Sequence, residues 1–224
     1  MVEAMPEVAQ LRASRERKAL CGSGSRLLGF VFAIALAGCA ISTPATNPVQ
    51  SAAIEQAETY FNGLQRFTAR FTQTGSDGLA NGYVWVDRPG RLRVEYVRPS
   101  PRLILANHGR LLIADHLTGA TRNMPVSRTP LDILLAKKVA FSGDVTVTSL
   151  QQQDNGVQVT LAKSAAPSEG HLTLQFSKRP LALVGVVIQD SSGSTNTLAL
   201  TDLQTAAHFD DDIFHYNPDP TPPN

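Results

Sequence analysis

The sequence predicts a mainly β protein, a single antiparallel sheet curled toward a barrel or sandwich. Three observations carry that expectation. From about residue 66 to residue 200 the apolar residues recur mostly at every second position. The alternating runs are short and are separated at even spacing by turn signals such as Asn107-His108-Gly109, Asp154-Asn155-Gly156 and Ser191-Ser192-Gly193. Only two stretches carry helical spacing. About eleven strands of this kind, joined mainly by hairpins, cannot each bury a face alone and must share one core.

In chain order, the first element is a helix, because Ile54, Ala57, Phe61 and Leu64 recur at three- and four-residue intervals, with Gly63 weakening its end. Strands follow. Phe67, Ala69 and Phe71 share one face, Tyr83 and Trp85 oppose Val84 and Val86, and Leu92, Val94 and Tyr96 oppose Arg91, Arg93 and Glu95. Further strands are expected over 102–106, 110–115, 120–124, 145–149, 157–162, 171–177, 183–189 and 195–200. One interruption stands among them: Thr129 reads as an N-cap, Pro130 as the first helical residue and Asp132 as an acid in the first turn of a short apolar helix through Ala136. After Phe214 the prolines at 218, 220, 222 and 223 forbid both a helix and a central strand.

The first 38 residues read as an export signal and not as part of the fold. Arg12, Arg15, Arg17, Lys18 and Arg26 precede an apolar run of 11 residues, Leu27–Ala37, which suits a signal-peptide core and is too short to span a bilayer. Glu3, Glu7 and Glu16 make the region before it unusually long and mixed, which leaves a start downstream of Met1 open. The run closes on Leu36-Ala37-Gly38-Cys39, which resembles a lipobox, where cleavage precedes a diacylated cysteine. Either Cys39 becomes a lipidated N-terminus, or an ordinary peptidase cuts at small residues such as Ala35-Leu36-Ala37 and Cys39 is incidental. Residues 39–50 are rich in Ser, Thr, Pro and Asn and are expected to be a flexible tether, 51–218 the folded domain, and 219–224 a Pro-rich tail.

The chain of 224 residues has a formal charge of +1; without the five basic and three acidic side chains of residues 1–38, it is −1. That balance gives no basic footprint for nucleic acid. Two cysteines exclude a disulfide framework, and no Cys/His spacing suits zinc. The chain has no nucleophile elbow, phosphate loop, dinucleotide turn or zinc-protease helix, and its five histidines stand apart, so neither catalysis nor a cofactor is expected. Asp210-Asp211-Asp212 lacks the spaced oxygens of a calcium loop and reads as a solvated acidic turn; Arg91 and Arg93 read as the solvent face of a strand.

Four stretches in order resemble one family. Tyr83-Val84-Trp85-Val86-Asp87-Arg88-Pro89-Gly90-Arg91-Leu92-Arg93-Val94-Glu95-Tyr96, with Pro99 beyond, resembles the second and third strands of the LolA family of periplasmic lipoprotein carriers. Phe67–Gln73 resembles its first strand, Thr129-Pro130 with Leu131, Ile133, Leu134 and Leu135 its middle helix, and Ile213-Phe214 with Tyr216 and Pro218 its C-terminal segment. The resemblance runs from about Ala53 to Pro218.

It implies an incompletely closed antiparallel β-barrel of about eleven strands, with a helical lid over an apolar cavity for the acyl chains of lipoproteins. A triacylated anchor with about 15 methylenes per chain would cost roughly 30–40 kcal/mol to expose to water, at ~0.8 kcal/mol for each CH₂. Candidate lining residues are Phe67, Phe71, Trp85, Leu92, Tyr96, Leu131, Ile133 and Leu134. Arg88 matches the family's arginine that hydrogen-bonds lid carbonyls and holds the lid shut; its planar five-donor fork suits several acceptors at once. The implied partners are acylated lipoproteins, an inner-membrane lipoprotein exporter complex and an outer-membrane acceptor. The implied state is a monomer in the periplasm, tethered if Cys39 is lipidated.

The lipobox and short tail are also reminiscent of the family's receptor branch, LolB, a lipoprotein with an exposed leucine for membrane insertion. Here the loop Val97-Arg98-Pro99-Ser100-Pro101 offers none, and Leu79 in Gly78-Leu79-Ala80 is the nearby candidate. A periplasmic stress regulator with a LolA-like domain is a third reading.

Overall fold

A computed structural model describes residues 48–97 and 101–218. The export segment, Cys39 and the 219–224 tail therefore lie outside the described residues. The chain opens with helix α1 (Pro48–Gly63), so the last three residues assigned to the tether, 48–50, are helical. A proline is compatible with the first helical turn because its missing N–H would have had no partner there. Eleven strands follow: β1 (Arg66–Gly75), β2 (Ala80–Asp87), β3 (Arg91–Tyr96), β4 (Arg102–Asn107), β5 (Arg110–Asp115), β6 (Thr121–Pro125), β7 (Val145–Gln152), β8 (Gly156–Lys163), β9 (Gly170–Lys178), β10 (Leu181–Asp190) and β11 (Thr195–Thr205). Between β6 and β7 lies the short helix α2 (Leu131–Leu135).

All eleven strands form one antiparallel sheet in the order β6-β5-β4-β3-β2-β1-β11-β10-β9-β8-β7. The expected mainly β architecture is thus present, and the sheet is not closed, since β6 and β7 are its two edges. Every neighbour in that order is also a neighbour in sequence except β1 and β11, which join the two halves along Phe67–Gly75 and Asn196–Thr205.

Strict alternation decides which face of each strand is buried. In β1, Phe67, Ala69, Phe71 and Gln73 are buried while Arg70 and Thr72 are exposed. Val84 and Val86 of β2, Leu92, Val94 and Tyr96 of β3, and Val157, Val159 and Leu161 of β8 join them in one inner-face cluster with Ala57 and Phe61 of α1 and all of α2's buried leucines and Ile133. Helix α2 touches β8 and β9, and the Gly90 N–H of the β2–β3 turn donates to Leu135 at 2.9 Å. Both halves of the sheet therefore meet the same helices.

A second, smaller cluster covers the other face. Leu103, Leu105 and Ala114 pack there with Phe209 and Phe214 of the C-terminal segment, and Trp85 packs against them, partly buried. Arg91 and Arg93 are not merely solvent-facing. Arg93 Nη1 donates to the Ile213 carbonyl at 2.8 Å, Arg91 pairs with Asp211 and Asp87, and Asn107 Nδ2 donates to the Phe214 carbonyl at 3.1 Å. The acidic turn also has an internal role, since the Asp210 side chain accepts from the Asp212 N–H and caps the 3₁₀ turn Asp211–Phe214.

The start of α2 differs from expectation. Thr129 does not cap it; its hydroxyl donates back to the Val126 carbonyl at 2.8 Å, and Pro130 occupies the cap position without a side-chain bond. The first helical N–H that returns to Thr129 goes to its backbone, Asp132 N–H donating to the Thr129 carbonyl at 3.3 Å, so the turn closes without a side-chain cap.

Candidate functional site

The inner face is mostly apolar, and two helical segments lie over it. Phe67, Phe71, Leu92 and Tyr96 project from the sheet, and Leu131, Ile133 and Leu134 from α2; all seven belong to one buried cluster. Trp85 does not. It sits on the opposite face with Leu103, Leu105 and Phe214, and its neighbours Val84 and Val86 take the inner positions. Alternation forbids any other outcome, because a residue adjacent to two inward valines must point outward.

Few polar contacts hold the helices down. Arg88, at the end of β2, is only 3% exposed. Its Nε donates to the Ala136 carbonyl just after α2 at 2.8 Å, and its Nη1 donates to two carbonyls near the end of α1, Phe61 at 2.8 Å and Leu64 at 3.3 Å. The guanidinium carbon lies 4.4 Å from the Phe61 ring centroid, a cation–π stack. Burial lowers the Arg88 pKa to about 10, so the guanidinium stays charged at neutral pH. One side chain thus ties β2, α1 and the α2 terminus together.

Two further clamps had no signal in the sequence. Asn62 Nδ2 donates to the Val139 carbonyl at 2.8 Å, and the Val139 N–H donates back to Asn62 Oδ1 at 2.9 Å. Beyond them the Phe141 N–H donates to Glu58 Oε2 at 2.9 Å. These partners bind the segment after α2 to α1 across 77 and 83 residues of chain. A polar residue on a helix face gives no sign of such a distant partner.

Cavities open beside the helices, and two of them are of similar size. One, of about 580 Å³, lies between Ala52, Ala53, Gln56 and Ala57 of α1 and Gln152, Val157, Lys178 and Leu181 of the sheet. The other, of about 550 Å³, lies along the segment after α2, where Ile133, Ala136 and Val139 face Val145 and Lys163. Their size is in the range of small-molecule sites. Lys163 pairs with Glu169 at 2.8 Å and with Asp132 at 3.5 Å, and so bridges β8 to α2.

Among the described residues no cluster of His, Cys, Asp or Glu has metal-binding geometry. Nor is any helix there long and apolar enough to cross a membrane. The arrangement is chemically that of an apolar container under a cover, with few polar bonds between cover and wall.

Comparison with known proteins finds relatives over most of the chain. An outer-membrane lipoprotein carrier protein from Chromohalobacter salexigens is 23% identical over 197 residues, covering 84% of this chain and 92% of the relative. The corresponding protein from Nitrosomonas europaea is 24% identical over 199 residues, covering 84% and 94%. A crystal structure of a LolA superfamily protein from Nitrosomonas europaea aligns over 75% of this chain and 97% of its own, with 13% identity and a TM-score of 0.43. Residues 62–217 match the family described as outer membrane lipoprotein carrier protein LolA. With that match over most of its length, the chain belongs to the LolA family.

Proposed function

We propose that this protein is a periplasmic carrier that takes the acyl chains of lipoproteins onto its inner face and moves them from an inner-membrane exporter to the outer membrane. The observation that carries the proposal is the contrast between the cover and the wall. The wall is a hydrogen-bonded sheet of eleven strands, whereas few polar contacts join the cover to it, those of Arg88, the Lys163–Asp132 pair and the Gly90 N–H to Leu135, with Asn62 and Glu58 tying the two parts of the cover together. A ligand with a large apolar area displaces such a cover by burying methylenes in place of the helix residues. Phe67, Phe71, Leu92, Tyr96, Leu131, Ile133 and Leu134 then contact the chains, together with Val84 and Val86 in place of Trp85. Arg88 is the latch: it biases the cover toward closure and so favours release of cargo. No catalytic step is required.

The test is complex formation by the purified mature domain with an acylated lipoprotein and with the same protein lacking its acyl chains. A one-to-one complex with the acylated form alone is expected, and equal binding of both forms would refute the proposal.

One observation favours a second reading, a membrane-tethered acceptor of the LolB type. Leu79 is 78% exposed and Leu117 67% exposed, and both sit in hairpin turns at the same end of the sheet, β1–β2 and β5–β6. In that reading Leu79→Glu abolishes delivery to liposomes while cargo uptake persists, because the charge is costly at a bilayer interface and touches no inner-face residue. Unchanged delivery by the variant leaves the diffusing carrier as the function.

A further inference from the structure

The inner face is not wholly apolar. Among the described residues two buried side-chain nitrogens lack a hydrogen-bond partner, Nε2 of Gln73 and Nε of Arg102, and both residues adjoin Tyr96. The Tyr96 hydroxyl donates to Gln73 Oε1 at 2.6 Å, and the Arg102 guanidinium carbon lies 4.5 Å from the Tyr96 ring centroid. Gln73 is 1% exposed and occupies the inward position that continues Phe67, Ala69 and Phe71 along β1.

The backbone is shaped to bring these groups together. Gln73 belongs to β1, Tyr96 to β3, and β2 runs between them. Gly82 of β2 pairs with both Phe71 and Tyr96. A Cβ there would lie 1.9 Å from the Glu95 carbonyl oxygen and 2.8 Å from Phe71 Cζ. Only glycine leaves room there for the Phe71 ring and for the close approach of β3, the strand that carries Tyr96.

A buried primary amide with an unused N–H is costly in an apolar setting, and its cost is removed by an acceptor oxygen. An acyl anchor is hydrocarbon except at the carbonyls that join its chains to the glyceryl group and the terminal amine. We propose that Gln73, flanked by Tyr96 and Arg102, is a polar subsite that accepts an ester carbonyl of the bound acylglyceryl group. The inference rests on the acyl-binding function proposed above and adds an orientation to it. Gln73 lies near the β1–β2 hairpin, and Arg88 at the other end of β2. From Gln73 to Phe67 the inner face of β1 extends about 20 Å, so the chains run from the subsite toward the latch.

The experiment compares two lipopeptides of equal chain length, one carrying a diacylglyceryl thioether on its cysteine and the other the dialkyl ether analogue, which lacks the ester carbonyls. Binding to the purified mature protein is read by displacement of a fluorescent fatty-acyl probe. The wild type is expected to bind the ester about tenfold more tightly than the ether, the scale of one hydrogen bond to an otherwise unpaired buried donor. In Gln73→Leu that ratio is expected to fall to near one. Equal affinities in the wild type overturn the subsite whether or not the variant folds, and so does an unchanged ratio in a folded Gln73→Leu. If neither lipopeptide displaces the probe, the acyl-binding function itself fails, and the subsite with it.

Discussion

Replacing Arg88 by leucine tests the latch most directly. In the closed state the guanidinium makes two bonds at 2.8 Å, to the carbonyls of Ala136 and Phe61, and a longer one at 3.3 Å to Leu64. The Phe61 carbonyl keeps a second partner, the Leu64 N–H at 3.1 Å, so the carbonyls that lose most are those of Ala136 and Leu64. Bonds to a charged donor contribute about 1.5–3 kcal/mol each. Counting two effective bonds, Arg88→Leu weakens closure by about 3–6 kcal/mol, a change on the order of 10²–10⁴ in the ratio of open to closed forms. Such a variant takes up cargo, because loading favours the open form, but retains it, because closure no longer competes with the acyl chains. The assay is transfer of radiolabelled lipoprotein from loaded carrier to acceptor membranes, with amide exchange at α1 and at Ala136–Phe141 as an independent reading of the cover. Arg88→Lys falls between, retaining charge without the planar fork. If Arg88→Leu transfers cargo at the wild-type rate and its amides stay protected, the side chain is a structural turn residue and the latch argument is refuted.

Three further outcomes follow from the same contacts. Asn62→Ala removes both bonds to Val139, which destabilises the segment after α2 by about 1–3 kcal/mol and is checked by faster exchange of the Val139 amide. Trp85→Ala lowers the unfolding midpoint by the equivalent of about 2–3 kcal/mol through the outer cluster, while acyl uptake is unchanged because Trp85 packs with Leu103, Leu105 and Phe214. Acid should loosen the C-terminal segment. The hydrogen bond from Arg91, and then its charge, hold the Asp211 carboxyl below its ordinary 3.8. A lowered folded-state value means that the contribution is complete above 3.8 and is lost as pH falls through the lowered value. Fluorescence of Trp85, which packs beside Phe214, should therefore change below that pH, and Asp211→Asn should remove this component.

The sheet was legible in the sequence because alternation is a property of adjacent residues. Strand boundaries expected at 110–115 and 171–177 lie within one or two residues of Arg110–Asp115 and Gly170–Lys178. Which apolar face looks inward is a different matter. In β2 both faces are apolar, Tyr83 and Trp85 against Val84 and Val86, and the C-terminal segment covers the outer one at Trp85 while Tyr83 stays exposed. Size alone points to Trp85 as a lining residue, and register places Val84 and Val86 there instead. The cover was legible only in part. Leu131, Ile133 and Leu134 showed their apolar spacing, and Arg88 was identified by family resemblance, but Asn62 and Glu58 form clamps with backbone groups far along the chain. The same holds for Gln73, whose position in an otherwise apolar strand gave no indication that a tyrosine two strands away would meet it.

The gap between β6 and β7 has a mechanical consequence. In a closed barrel, strand number and stagger fix the radius, and widening the interior means breaking ladder bonds. This sheet ends at two free edges, so its halves can spread by a change of coiling spread over eleven strands while each ladder stays paired. An open sheet of this kind can therefore change its girth without breaking ladder bonds, a freedom that closure into a barrel would remove.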